Sequence, residues 1–121
     1  MIRGIGIDLC DIARMEKAVA RKGFREKVFS EEEINYAEGG GDSASHYAAS
    51  FAAKEALAKA GGWGIAGLGL SSCFVRRGES GPFFVFTADF EKKLTEAGIQ
   101  KVFLSISHEA GMAVAMVVLE G

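Results

Sequence analysis

Glu55 and Lys59 stand four residues apart in FAAKEALAKAGG, Phe51 to Gly62, so on a helix they are neighbours on one face, with Phe51 one turn before them. A half-buried carboxylate beside an ammonium can hold a divalent cation and a phosphate together, and the two glycines that follow end the helix and leave room for a bulky ligand. The same spacing also suits an ordinary solvated ion pair. Two further stretches bring polar groups to strand ends. MIRGIGID reads as a short buried strand, Ile2 to Ile7, in which Gly4 and Gly6 allow close backbone approach and which delivers Asp8 at its carboxyl end. SISHE, Ser105 to Glu109, places His108 just past another strand. By residue type alone Asp8 also fits a turn or cap, and His108 a solvated loop.

The elements that must position these groups follow from periodicity. Asp11 caps a helix running to about Lys22, stopped by Gly23, with Ile12, Met15 and Val19 as its apolar stripe. Arg14, Lys17 and Arg21 share another face of it and form a basic ridge. SEEE, Ser30 to Glu33, is a capping box that opens a short acidic helix to about Glu38. After GGGDS an Ala-rich helix spans about Ser45 to Ala60 and carries Glu55 and Lys59. Lys54, beside Glu55, points about 100° away around the helix and is given no part in the chemistry, and His46 has no motif support. A mobile glycine-rich stretch from Gly61 to Gly69 precedes a strand at Leu70 to Arg77, a turn at Gly78 to Pro82 and a strand at Phe83 to Phe86. A helix from Thr87 or Asp89 to near Gly98 turns Phe90, Leu94 and Ala97 inward. Lys101 to Glu120 form a hairpin joined by His108 to Gly111. Its second strand is apolar on both faces, which suits a core on one side and helices or a neighbouring subunit on the other. The element order is α+β, a small antiparallel-rich sheet packed with helices.

The chain has 121 residues, 49% of them hydrophobic and 25% charged, with a net charge of −2, which suits a single globular domain, residues 1–121. No apolar run approaches a membrane span and no secretory leader opens the chain, so a cytoplasmic protein is expected, with Cys10 and Cys73 as reduced thiols. Residues 1–28 hold seven Lys or Arg against four acids, whereas residues 29–60 hold two against six. A basic front end on an acidic protein points to an acidic partner. Nucleic acid is disfavoured, since aromatic and basic residues do not interleave.

GIGID at Gly4 to Asp8, FAAKEALAKA at Phe51 to Ala60 and SISHE at Ser105 to Glu109, in that order, resemble the holo-acyl-carrier-protein synthases, small phosphopantetheinyl transferases, along nearly the whole chain. The resemblance implies the fold of those enzymes and transfer of 4′-phosphopantetheine from coenzyme A to a serine of an apo acyl carrier protein, releasing adenosine 3′,5′-bisphosphate, with Mg²⁺ required. Carried over by position, it implies that Asp8 and Glu55 ligate Mg²⁺, that Lys59 reaches the diphosphate, and that His108 lies near the coenzyme A phosphates. A water held at the metal and oriented by Asp8 or Glu55 is the most economical base for the serine hydroxyl. The ridge of Arg14, Lys17 and Arg21 is then the docking surface for the acidic carrier, and a homotrimer with interfacial active sites is expected. The chain also departs from the family: Ser50 replaces the usual Arg before FAAKEA, and Ser80, Gly81 and Pro82 replace a Gly-Lys-Pro turn. These changes put contacts to the nucleotide's 3′-phosphate in question, with Arg76 and Arg77 as candidate replacements. GGWGIAGLG in place of a short Gly-Thr-Gly does the same for adenine. Two other readings use the same residues: a Mg²⁺-dependent diphosphate hydrolase and a non-catalytic coenzyme A-binding oligomer.

Overall fold

The computed structural model describes residues 1–121. In chain order the elements are β1 (Ile2–Asp11), α1 (Ile12–Val19), α2 (Phe24–Val28), α3 (Glu31–Glu38), α4 (Ser43–Gly61), α5 (Gly64–Leu68), β2 (Cys73–Gly78), β3 (Gly81–Phe86), α6 (Ala88–Glu96), β4 (Lys101–Glu109) and β5 (Met112–Glu120). An antiparallel sheet of order β1-β5-β4 lies under α4, and β2 and β3 form a separate hairpin. No helix is long and apolar enough to cross a membrane.

The seat of α4 on the sheet explains the GIGID motif. A Cβ on Gly6 would fall 1.9 Å from the Ala56 carbonyl oxygen, and one on Gly4 would fall 2.0 Å from that of Ala60. Only glycine lets the two backbones approach so closely, and the helix answers with Ala52, Ala53 and Ala56, all fully buried. Opposite them β5 contributes Ala113, Ala115, Val117 and Leu119 from one of its faces, which are also buried. Gly6→Ala should therefore lift α4 from β1, costing about 1–3 kcal/mol or more by overpacking. Urea unfolding of the purified variant measures it, and an unchanged midpoint would mean the helix does not rest on this strand.

Local chemistry sets the helix ends. Asp11 Oδ1 accepts from the Arg14 N–H at 3.0 Å, and Ser30 and Glu33 complete the capping box, at 3.1 and 3.0 Å. Several boundaries differ from those read in the sequence. β1 does not stop at Ile7 but runs to Asp11, because Leu9 and Cys10 go on pairing with Val114 and Ala113; Asp8 therefore lies within a strand, opposite Ala115. α1 ends at Val19, and Gly23, at φ 82°, opens the short α2. The glycine-rich stretch holds a helical turn, α5, anchored by buried Leu68, with Trp63 edge-on to Phe90 at 5.2 Å. β2 begins at Cys73 because a turn closed by the Ser72 amide and hydroxyl on the Gly69 carbonyl precedes it. Ala97 is exposed at the end of α6, and Ile99 fills the core there. The final hairpin turns on Ala110 and Gly111 alone, both at positive φ (53° and 76°), so His108 and Glu109 are strand residues.

β5 is not covered on both sides within the chain. Ile5, Ile7, Leu9, Phe103 and Met116 cluster on the sheet face away from α4 and are between 42% and 62% exposed.

Candidate active site

Continuing the face on which Gly4 and Gly6 meet α4, Asp8 emerges where the helix presents Glu55 and Lys59. Lys59 Nζ donates to Asp8 Oδ1 at 2.8 Å and to the Ile7 carbonyl at 3.1 Å. The lysine side chain is 55% exposed while that of Asp8 is 17% exposed, so the ammonium caps the carboxylate from the solvent side. The Asp8 hydrogen bond and charge raise the Lys59 pKa. One turn earlier, burial raises the Glu55 carboxyl above its ordinary value, and the Asp8 charge adds to this while Lys59 partly offsets it. A carboxyl whose ionisation a neighbouring carboxylate disfavours marks a place for a cation.

The donor chemistry specifies which kind. Both groups are hard oxygen donors, and no third His, Cys, Asp or Glu joins them in a closed cage. Such a pair suits Mg²⁺, which keeps most of its octahedron for water and phosphate oxygens. Cys10 sits close by, but burial first and then Asp8, Asp11 and Glu55 push its thiol up to about 11. Without a metal it stays protonated at neutral pH.

His108 is placed elsewhere. It shares the sheet face of Asp8, yet β5 intervenes between β1 and β4, so about two strand spacings, roughly 10 Å, separate the two backbones. Its charged neighbours are Asp42 and His46 at the start of α4. The basic ridge borders a groove of about 580 Å³ whose floor includes Leu9, Met15, Phe24 and Phe51. Arg14, Lys17 and Arg21 all line it, and none of them is in an ion pair.

Sequence reasoning gave Lys54 and His46 no part. Lys54 is fully buried and donates to Glu33 Oε1 at 2.9 Å and to the carbonyls of Val28 (3.0 Å) and Leu70 (3.3 Å). Its signal was its place between Ser50, Leu57 and Ala58, on the stripe of α4 that faces inward. His46 and Arg77 meet around Tyr36; the period-two run of Cys73, Val75 and Arg77 already pointed this arginine inward.

A strand-borne carboxylate bonded to a helical Lys, with a Glu one turn away, is an arrangement suited to phosphate and a cation, here on an α+β scaffold. Residues 4–115 match the 4′-phosphopantetheinyl transferase superfamily. The chain is 42% identical over 127 residues to the holo-[acyl-carrier-protein] synthase of Geotalea daltonii, covering 99% of both, and 43% identical over 122 residues to that of Cutibacterium acnes, covering 100% of both. It superposes on the crystal structure of the Neisseria meningitidis synthase with a TM-score of 0.92, at 34% identity and full coverage of each chain. On the Helicobacter pylori synthase in complex with coenzyme A the TM-score is 0.83, at 35% identity, covering 96% of this chain and 99% of the other. The chain belongs to the 4′-phosphopantetheinyl transferase superfamily. Within it, this is an enzyme of the holo-[acyl-carrier-protein] synthase type.

Proposed function

We propose that the protein transfers 4′-phosphopantetheine from coenzyme A to a serine of an apo acyl carrier protein, with Mg²⁺ required and adenosine 3′,5′-bisphosphate released. The observation that carries the reading is the convergence of Asp8 and Glu55, 47 positions apart in the chain, beside Lys59. Asp8 and Glu55 would hold Mg²⁺, which would supply charge stabilisation to the diphosphate as it is split. Lys59, beside Asp8 on the solvent side, would pair with the same diphosphate. The serine oxygen attacks the phosphorus that bears pantetheine, the bond to the adenosine 5′-phosphate oxygen breaks, and the serine proton passes to a carboxylate. Glu55, whose carboxyl burial raises above its ordinary value, takes that role. Intact-mass analysis of an apo carrier incubated with coenzyme A and Mg²⁺ tests the reading. Mass gain supports transfer, whereas coenzyme breakdown without it identifies a hydrolase, and neither identifies a binder.

The unpaired Arg14, Lys17 and Arg21 around an apolar groove fit an acidic carrier helix. Arg14→Glu should raise KM for the carrier about ten-fold while leaving KM for coenzyme A within about two-fold, because such charges act on encounter with the partner. Steady-state kinetics with each substrate varied reads this, and equal effects on both would remove the docking role.

The exposed apolar sheet face, together with the separation of His108 from Asp8, supports a homotrimer in which a neighbouring copy brings its His108 to this site. Sedimentation should give the mass of three chains. Met116→Glu, which puts a charge on that face, should yield monomers that have lost transferase activity; a fully active monomer would refute the arrangement. The reaction is placed in the cytoplasm, where coenzyme and carrier meet.

A further inference from the structure

Lys54 carries three N–H donors, and the fold gives each an acceptor: Glu33 Oε1 at 2.9 Å and the carbonyls of Val28 at 3.0 Å and Leu70 at 3.3 Å. The ammonium also stands 5.6 Å over the Phe29 ring. It is sealed from solvent with no proton free for a substrate, so it takes no direct part in the chemistry. An ion pair sealed in this way is weak ground for stability, since apolar side chains of similar volume often serve as well. What the three bonds do fix is the setting of α4. The helix rests on β1 through Ala56 and Ala60 against Gly6 and Gly4, a contact of small groups with no long side chain to key its rotation. Lys54 stands two positions from Ala56, about 200° around the helix, and so holds α4 from a side away from β1. Its acceptors are themselves tied down. Glu33 is bonded by the amides of Ser30 and Val75, at 3.0 and 2.9 Å. Leu70 ends the return of the chain from α4, which begins where the Gly62 and Trp63 amides bond to the Lys59 and Ala58 carbonyls, at 3.1 and 3.0 Å, and runs through α5.

We propose that the Glu33–Lys54 pair is a positioning device for the transfer reaction, which sets the rotation of α4 at which Glu55, the next residue, faces Asp8. The inference rests on the reading of Asp8 and Glu55 as the pair that holds the cation. No hydrogen bond holds the Glu55 carboxyl, whose surroundings act on it through burial and the charges of Asp8 and Lys59. Its place is therefore set by the backbone of α4. Lys59 does not correct that backbone, because its side chain is long, 55% exposed and free to follow Asp8 as the helix turns. A rotation of about 10° moves a side-chain tip at the outer radius of a helix, roughly 5–6 Å, by about 1 Å. Misplacement on that scale can slow a reaction about 10²-fold.

Lys54→Met combined with Glu33→Gln keeps the side-chain volumes and removes both charges, which separates positioning from stability. The double variant should unfold cooperatively in urea. It should bind Mn²⁺, measured by the paramagnetic resonance of the free ion, about ten-fold more weakly than the wild type, the lower end of what disturbing the support of a metal site costs. With Mg²⁺ saturating, its kcat should fall about ten-fold or more, while KM for the carrier stays within about two-fold because the ridge on α1 is untouched. Leu94→Ala, which opens a cavity in the core at α6, supplies lost stability alone and should bind Mn²⁺ as the wild type does. A double variant that is folded and keeps wild-type Mn²⁺ affinity and kcat overturns the inference and leaves the cation reading in place. Equal weakening in Leu94→Ala assigns the effect to general loss of stability and also overturns it. A wild type that binds no Mn²⁺ overturns the cation reading, and the inference with it.

Discussion

Glu55→Gln is expected to lower Mg²⁺-dependent transfer to the carrier roughly 10²- to 10³-fold, the scale on which losing one preorganised electrostatic group slows a charge-developing step. The amide keeps the shape of the side chain and removes the charge that burial and Asp8 already disfavour. The variant should therefore fold at least as well as the wild type without metal. In the wild type Mg²⁺ should raise the melting temperature, and in the variant this rise should largely vanish. Turnover that survives in Glu55→Gln with its magnesium requirement intact would refute the role given to this carboxylate. A pH series adds a second check. Because the folded pKa of Glu55 is raised, its neutral form favours the metal-free fold at low pH, and that contribution is lost as pH rises through the raised pKa. Cation binding needs the charged form, so the stabilisation by Mg²⁺ should shrink as pH falls through the same range. That acid limb should be missing in Glu55→Gln.

Lys54→Ala should destabilise the protein by about 3–5 kcal/mol, the cost of leaving one member of a buried ion pair uncompensated. Both side chains are 1% exposed. Glu33 does more than neutralise the lysine. Its Oε1 accepts from Ser30 N–H and Lys54, and its Oε2 accepts from Val75 N–H at 2.9 Å, so one carboxylate joins the start of α3, the middle of α4 and β2. Removing the ammonium leaves that charge and the carbonyls of Val28 and Leu70 without their donor. Lys54→Met with Glu33→Gln should recover much of the loss, since a neutral amide can still accept from Val75 without burying a charge. Chemical denaturation of the single and double variants measures this, and additive losses would mean that the two residues are not coupled. Lys54 adjoins Glu55 in the chain, so the clasp also holds the setting of the helix that presents the site.

Short-range chemistry was legible without coordinates. The capping groups Asp11, Ser30 and Glu33 stand where the sequence pattern put them, and of the two helix starts it offered Thr87 is the cap, because a cap is a contact between residues three apart. The side-by-side placement of Glu55 and Lys59 followed from helical geometry in the same way. The boundaries that shifted depend on partners distant in the chain. β1 continues past Asp8 because β5 supplies its hydrogen bonds, and α5 forms among glycines because Leu68 finds a buried seat.

The amino-acid order by itself determined the composition of the site, an Asp after a Gly-x-Gly strand and a Glu–Lys pair on an alanine-rich helix, since residue types and local spacing carry that information. Only the tertiary structure decided that Lys59 grips Asp8, that His108 stands across β5 from them, and that Lys54 is sealed in the core while Arg77 has no acid to meet. Each of those outcomes is settled by which residues remote in sequence share one desolvated volume, and burial of a charge there depends on the partners the fold brings to it.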